Sequence, residues 1–280
     1  MKLDRPNGIP YNKGKGGLAA LPPQGREPLM WTGMTSITFR NLSPATIAAL
    51  AAQAGLDGIE WGGDIHVPAG DADAARTVRT LTADQGLRVL SYGSYNHGES
   101  VASITPVLES ALTLGAPIVR VWAGERGSAQ MDAAARGQLA ETLHGQAELA
   151  AQAGLVLAME YHPNTMTDTI QSATWLLDQV NLPNFRCYWQ QNPLLAQVEH
   201  LREIAALGDR LAQVHVFACM ADDTILPLEA HAPRWREYFA AIRRAGGERA
   251  LILEHVREHD TAQFLRDAAL LHELLASARA

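Results

Sequence analysis

Four polar side chains stand where long apolar runs stop. Glu160 closes the run 155-LVLAME-160, Gln190 follows 185-FRCYW-189, His215 lies within 211-LAQVHVF-217, and Glu254 falls near the end of 250-ALILEH-255. A carboxylate at the tip of a buried segment costs several kcal/mol unless something compensates its charge. If two such carboxylates meet, they need a cation between them or must share protons. Two Glu, one His and one amide oxygen would together satisfy a divalent metal. Carboxylate, imidazole and carbonyl ligands suit Mn2+, Mg2+ or Co2+ better than a thiolate-seeking ion, with Mn2+ the leading expectation.

The elements needed to bring these groups together are legible from residue 30 onward. Apolar runs of four to eight residues alternate with longer Ala/Leu-rich segments of helical spacing. Strands are expected at 30–37, 57–61, 87–92, 117–122, 155–160, 185–189, 211–217 and 250–255. Helices are expected at about 44–54, 71–85, 101–114, 132–153, 168–180, 196–207, 233–245 and 261–277. Ser43-Pro44 reads as an N-cap followed by proline in the first turn. Gly55, Gly86, Gly115 and Gly154 each follow a helix and precede a strand, where a left-handed C-cap is wanted. Thr105-Pro106 leaves open whether the third helix starts at 101 or at 105. The strands are apolar almost throughout, as parallel strands covered by helices must be. Eight such units in a row predict a closed (β/α)8 TIM barrel rather than an open sheet. Consecutive strands are neighbours in a barrel, so strands five to eight carry Glu160, Gln190, His215 and Glu254 to one part of its C-terminal rim. One catalytic domain is expected over residues 29–280, preceded by a flexible arm at 1–28 rich in Gly, Pro, Lys and Asn.

Composition narrows the function. The chain has 280 residues, 47% of them hydrophobic, and a net charge of −7. No basic stripe favours nucleic acid. Cys187 and Cys219 both sit in apolar runs and read as buried thiols rather than a disulfide scaffold. No apolar run reaches the ~18 residues of a membrane helix. The first 28 residues lack the continuous apolar segment of a signal peptide, so a cytoplasmic protein that does not engage membranes is the expectation. GKGG at 14–17 lacks the full spacing of a phosphate loop and reads as flexible backbone.

Several stretches together resemble the xylose isomerase-like TIM barrels, the sugar phosphate isomerase/epimerase superfamily: 54-AGLDGIEW-61, 118-IVRVWAG-124, 153-AGLVLAMEYH-162, 214-VHVF-217 and 252-ILEH-255. The resemblance spans roughly residues 30–277. It implies one divalent metal held by a Glu after strand five, an Asp after strand six, a His on strand seven and a Glu on strand eight. Glu160, His215 and Glu254 match three of these. Gln190 stands where the Asp is expected, and Pro193 replaces the His that normally follows it. The substitution removes one negative charge from the ligand set, which should weaken metal binding.

The resemblance also implies chemistry. A metal on the carbonyl and hydroxyl oxygens of a sugar acidifies the neighbouring C–H, and a carboxylate on each face can take and return the proton. Glu160 and Glu254 are the expected pair. His66, His97 and His162 are expected to hydrogen-bond substrate hydroxyls, and Trp61, Trp122 and Trp189 to line the pocket. Arg257 is a candidate for an anionic substituent. Simpler roles compete with several of these. Glu60 could pair with Arg120 inside the barrel, His66 could cap a loop, and His255 is expected to point away from Glu254 toward a helix. The partner is then a small sugar or sugar derivative, with a homo-oligomer expected. Three functional readings follow: an isomerase or epimerase; a lyase or dehydratase on the same scaffold; or a carbohydrate-binding barrel that lost catalysis with the Asp. A nuclease would need a cluster of several metals and a basic surface, and this chain offers neither.

Overall fold

The computed structural model describes residues 30–277; the arm expected at 1–28 lies outside the described residues. The strands are β1 (Met30–Thr35), β2 (Gly58–Gly62), β3 (Arg88–Gly93), β4 (Ile118–Val121), β5 (Val156–Glu160), β6 (Phe185–Trp189), β7 (Leu211–Val216), the short pair β8 (Ala218–Cys219) and β9 (Ile225–Leu226), and β10 (Arg249–Leu253). All but β8 and β9 are parallel and close in the order β1-β10-β7-β6-β5-β4-β3-β2. The helices are α1 (Pro44–Gln53), α2 (Ala72–Asp84), α3 (Thr105–Leu114), α4 (Ala133–Gln152), α5 (Ile170–Val180), α6 (Gln197–Leu207), α7 (Ala232–Arg244) and α8 (Thr261–Ser277). The expected eightfold alternation is therefore present, as a closed (β/α)8 TIM barrel.

The boundaries follow local chemistry. The Ser43 hydroxyl accepts from Thr46 N at the start of α1, and Asp71 and Asp132 cap α2 and α4 in the same way. Gly55, Gly86, Gly115 and Gly154 all adopt positive φ, from 70° to 82°, at the helix ends read from the sequence. The third helix begins at Thr105, after a single 3-10 turn over Ala102–Ile104. Two strands, β1 and β10, stop two residues before their expected ends. β1 stops at Thr35 because Ser36–Phe39 turns into a 3-10 helix, whose Ser36 hydroxyl accepts from Gly62 N at 2.8 Å. β10 stops at Leu253, so Glu254 and His255 lie beyond the ladder.

Two apolar layers hold the barrel. The larger lies between the strands and the helices. The smaller, centred on Leu90, Ala158, Tyr188 and Ile252, plugs the barrel interior. Gly33 makes room for that plug: a Cβ there would fall 2.3 Å from Leu90 Cδ1. The interior is thus packed at mid-height, and polar side chains collect above and below the plug.

Candidate active site

Strand alternation decides which side chains enter the site. On β5, β6 and β7 the inward positions near the C-terminal end are Glu160, Tyr188 and His215. On β2 and β4 they are Glu60 and Arg120. All five are buried. Gly93 on β3 leaves the space that this cluster needs, since a Cβ there would lie 2.9 Å from Arg120 Nη2 and 3.3 Å from Glu60 Oε1.

His215 is the hub. Its Nε2 faces Glu60 Oε1 at 3.2 Å. Its Nδ1 faces Glu160 Oε1 at 3.3 Å and Glu254 Oε2 at 3.4 Å, and the Tyr188 ring packs edge-on against the imidazole with centroids 5.2 Å apart. One ligand-type atom each from Glu160, His215 and Glu254 falls within a 4.8 Å span. Two of the buried atoms there, His215 Nδ1 and Glu254 Oε2, have no hydrogen-bond partner. The imidazole nitrogen and the carboxylate oxygen face each other within ion-pair distance but outside hydrogen-bond geometry, an arrangement that a cation held between them would satisfy. The residues fit a divalent cation. Glu60 fits it too, because a metal-bound histidine is usually oriented by a carboxylate on its other nitrogen.

The charges are tightly balanced. Arg120 Nη1 donates to Glu160 Oε2, and Arg120 Nε lies 3.8 Å from Glu60 Oε1. Ser91 Oγ donates to Glu60 Oε2 at 2.8 Å. Burial pushes the Glu60 carboxyl up, but His215, Arg120 and the Ser91 bond outweigh it and hold the pKa at about 2. Burial likewise opposes ionisation of Glu160, and Arg120 with His215 brings it to about 2. For His215 burial favours the neutral ring, and the charges of Glu254 and Glu60 reverse this, leaving the pKa well above its ordinary value. The surrounding carboxylates thus favour the imidazolium form of His215, and a bound metal would have to displace that proton.

Above the cluster opens a cavity of about 500 Å³ lined by His162, Gln190, Asn192, Phe217, Glu254 and His255, among others. Gln190 Nε2 donates to Tyr161 O at 3.0 Å, which fixes one end of the amide against the β5 tip. Trp122 stands beside the cavity, with His162 packed 4.4 Å from it, His97 at 5.1 Å and Tyr95 stacked at 6.3 Å. Trp122 Nε1 is buried without a partner. Trp122, His97 and His162 thus form one aromatic cluster, of which His162 lines the cavity.

The structure does not bring the other expected residues to this cavity. Trp61 follows inward Glu60 and so points outward, where its Nε1 donates to Thr82 of α2 at 3.1 Å. Trp189 follows inward Tyr188 and points outward for the same reason. Its Nε1 donates to Glu203 of α6 at 2.9 Å, and it packs on Trp235 and Tyr238. His66 spends both ring nitrogens on the fold, at 2.9 Å from Ser36 Oγ and 3.2 Å from Leu42 O. Arg257 is exposed and pairs with neighbouring Glu258 at 3.2 Å, in a turn where Glu258 and His259 both adopt positive φ. His255 departs from expectation in the opposite sense. It lies past the end of β10, where strict alternation no longer applies, and its ring packs on Phe217 within the cavity lining, with Nε2 3.6 Å from Glu254 Oε2. Sequence reasoning offered an ion pair with Arg120 as one of two roles for Glu60 but missed the hold of these residues on His215 and Glu160. It also missed the β8–β9 hairpin, which brings Cys219 to the cavity. The Asp222-Asp223 turn, with Asp223 at φ 64°, was the available signal.

Behind the site, His200 of α6 sits between Tyr238 OH at 2.7 Å and Asn192 O at 2.9 Å. Burial holds its pKa below the ordinary imidazole value. The unfolded chain takes up a proton there more readily than the folded protein. Its contribution to stability is thus present above about pH 6.5 and is lost as pH falls below that. The melting midpoint is expected to drop between about pH 7.5 and 5.5, with a shallower slope in His200→Gln. Equal slopes in the two proteins would refute this.

The family model described as Xylose isomerase-like TIM barrel matches residues 48–274. A 3-dehydroshikimate dehydratase of Bacillus anthracis is 37% identical over 68 residues, which is 24% of each chain, so the match spans about a quarter of that relative. Among solved structures, the probable 3-DHS dehydratase AsbF of Bacillus anthracis superposes with a TM-score of 0.73 at 19% identity, covering 87% of this chain and 99% of that one. The 3-keto-D-glucoside 4-epimerase YcjR of E. coli gives 0.67 at 17% identity, covering 88% and 98%. A family protein from Mycobacterium smegmatis in complex with magnesium gives 0.66 at 15% identity, covering 90% and 98%. With most of its length matched by the family model, this chain belongs to the xylose isomerase-like TIM barrel family.

Proposed function

We propose that the protein is a divalent-metal-dependent isomerase or epimerase of a small sugar or sugar derivative, working by proton abstraction from a carbon beside a carbonyl. The observation that carries this is the unpartnered pair His215 Nδ1 and Glu254 Oε2, buried beside Glu160 Oε1. Glu160, His215 and Glu254 would hold the ion, with Gln190 the fourth candidate and Mn2+ the expected metal. When bound, the ion polarises the substrate carbonyl and acidifies the adjacent C–H. Glu60 keeps the Nε2–H of His215 engaged, so that Nδ1 presents its lone pair to the site. Arg120 ties up Glu160 Oε2 and keeps that carboxylate ionised. Glu254, which lines the cavity, is the base through the oxygen that it would not give to the ion. It takes the proton from one carbon and, in an isomerisation, returns it to the next. Epimerisation would need Glu160 to supply a proton on the opposite face. Trp122 and His162 present flat faces on which a sugar ring can pack, and His97 and His255 offer hydrogen bonds to hydroxyls.

A second reading, dehydration of a cyclic keto-acid, is favoured by two observations. Arg120 leaves Glu254 as the freer carboxylate, and elimination needs only one base. The 37% identical segment also belongs to a dehydratase. Both readings start with the same abstraction, and one experiment separates them. Metal-free protein is loaded with Mn2+ in D2O and given a panel of ketoses and 3-dehydroshikimate, and the products are read by mass spectrometry and NMR. Deuterium gained at one carbon without loss of water supports the first reading. A product lighter by one water supports the second. Saturable binding with neither outcome would end the enzymatic proposal.

The charge missing at Gln190 gives a further expectation. Gln190→Asp should tighten Mn2+ binding on the order of tenfold or more, because affinity follows ligand charge. The same change should lower the melting midpoint under chelation, since a further carboxylate joins the buried cluster. Calorimetric titration checks the first and thermal melting in chelator the second. Unchanged Mn2+ affinity would remove Gln190 from the ligand set.

A further inference from the structure

The N-terminal end of the barrel holds a second cavity, about 570 Å³, on the far side of the Leu90 plug from His215. Three arginines line it: Arg88 from β3, Arg186 from β6 and Arg249 from β10. Arg249 is only 3% exposed, yet its Nε and Nη1 have no hydrogen-bond partner. Arg186 has a single long contact, Nη1 to Asp209 O at 3.4 Å. The Arg88 guanidinium lies 4.0 Å over the Trp31 ring. Among the described residues no carboxylate lies within ion-pair distance of any of the three, although exposed Glu248 also lines the cavity. Burial, and then the charge of Arg186, hold Arg249 down at about 10 against a smaller opposing pull from Asp209. A buried guanidinium beside a second cation, with no carboxylate in ion-pair contact, is a costly arrangement for a fold to keep. Its donor fork matches an oxyanion that offers two oxygens. Gln213 is the other polar residue of the lining, and Trp31, Leu90, Ile118, Val156 and Ala250 make up most of its apolar part.

We propose that this N-terminal mouth binds a small organic oxyanion, a carboxylate or phosphate on a flat apolar body. Arg249 and Arg186 hold the anionic head, and Trp31, with Arg88 over its other side, packs against the body. The site is separate from the metal cluster and does not depend on the reaction assigned to it. The anion supplies the missing counter-charge, so occupancy raises the stability of the whole barrel.

The test uses the full chain and three probes: benzoate, phenyl phosphate and inorganic phosphate. Titration calorimetry and thermal melting are run on wild type, Arg249→Met and Arg186→Gln. Saturable binding of benzoate or phenyl phosphate is expected, with a raised melting midpoint, and the tighter of the two identifies the head group. Each variant should weaken that binding by roughly tenfold or more, while Mn2+ binding at the opposite end stays at its wild-type value. Inorganic phosphate should bind more weakly than phenyl phosphate; equal binding would overturn the role given to Trp31. Absence of saturable binding by both organic probes, or unchanged affinity in the variants, would overturn the site. If Arg249→Met does not fold, Arg186→Gln alone decides.

Discussion

Glu254→Gln is expected to abolish turnover, with kcat falling by about 10²- to 10⁴-fold, the range contributed by a positioned proton-transfer group. The substitution keeps the shape of the side chain and removes its charge. It takes away the carboxylate that is buried, unpartnered at Oε2 and open to the cavity. Metal affinity should fall as well, because one of the three groups within the 4.8 Å cluster becomes a neutral amide. The two effects are separable. At saturating Mn2+, confirmed by metal analysis of the same sample, lost ligation is restored by mass action but a lost base is not. Solvent deuterium exchange into bound substrate is the sharpest readout, since it reports abstraction whatever the later fate of the carbanion. Glu160→Gln makes the informative comparison. Its Oε2 is tied to Arg120, so its loss should weaken metal binding but leave more residual exchange than Glu254→Gln. Equal exchange in Glu254→Gln and wild type at full metal occupancy would remove Glu254 from the role of base.

The barrel was legible because its rules are local. Apolar runs of strand length alternate with helical segments eight times, and helix caps and left-handed glycines mark about half of the boundaries. The convergence of Glu160, His215 and Glu254 followed from the barrel alone, since strand neighbours and strand ends are fixed once the fold is known. What the sequence did not disclose was the facing of each residue at a strand end. Trp61 and Trp189 are the right residue types one position away from the inward register. The side chains that do turn inward beside them, Glu60 and Tyr188, look less like a sugar pocket. His255 erred the other way, because alternation was extended past Leu253 where the ladder stops. His66 shows a third limit: a histidine near a strand end can spend both nitrogens on Ser36 and Leu42, and nothing in its flanking residues reveals those distant partners. Arg120 was read as a partner of Glu60, but its closer attachment to Glu160 needs the register Arg120↔Ala158 between β4 and β5, which no sequence pattern supplies.

Arg120→Met should give the largest loss of stability of any substitution near the site. The guanidinium is 3% exposed and is bonded to Glu160, with Glu60 at 3.8 Å. Removing it leaves the carboxylates of Glu60, Glu160 and Glu254 around His215 without their guanidinium. Breaking a buried pair from one side costs about 3–5 kcal/mol. For a domain of this size each kcal/mol lowers the melting midpoint by about 2–4 °C, so a fall of roughly 6–20 °C is expected in chelator. Arg120→Lys should recover part of the loss, because it restores the charge but not the planar donor fork. Saturating Mn2+ should raise the midpoint of Arg120→Met by more than that of wild type, since the ion binds a site with one positive charge fewer around it. The ordering wild type, Lys, Met under chelation, together with the larger metal-induced shift in the Met variant, is what an over-charged acidic cluster predicts. If Arg120→Met melts like wild type in chelator, the carboxylates around it are protonated in the folded protein. The cluster would then carry too little charge to draw a divalent ion.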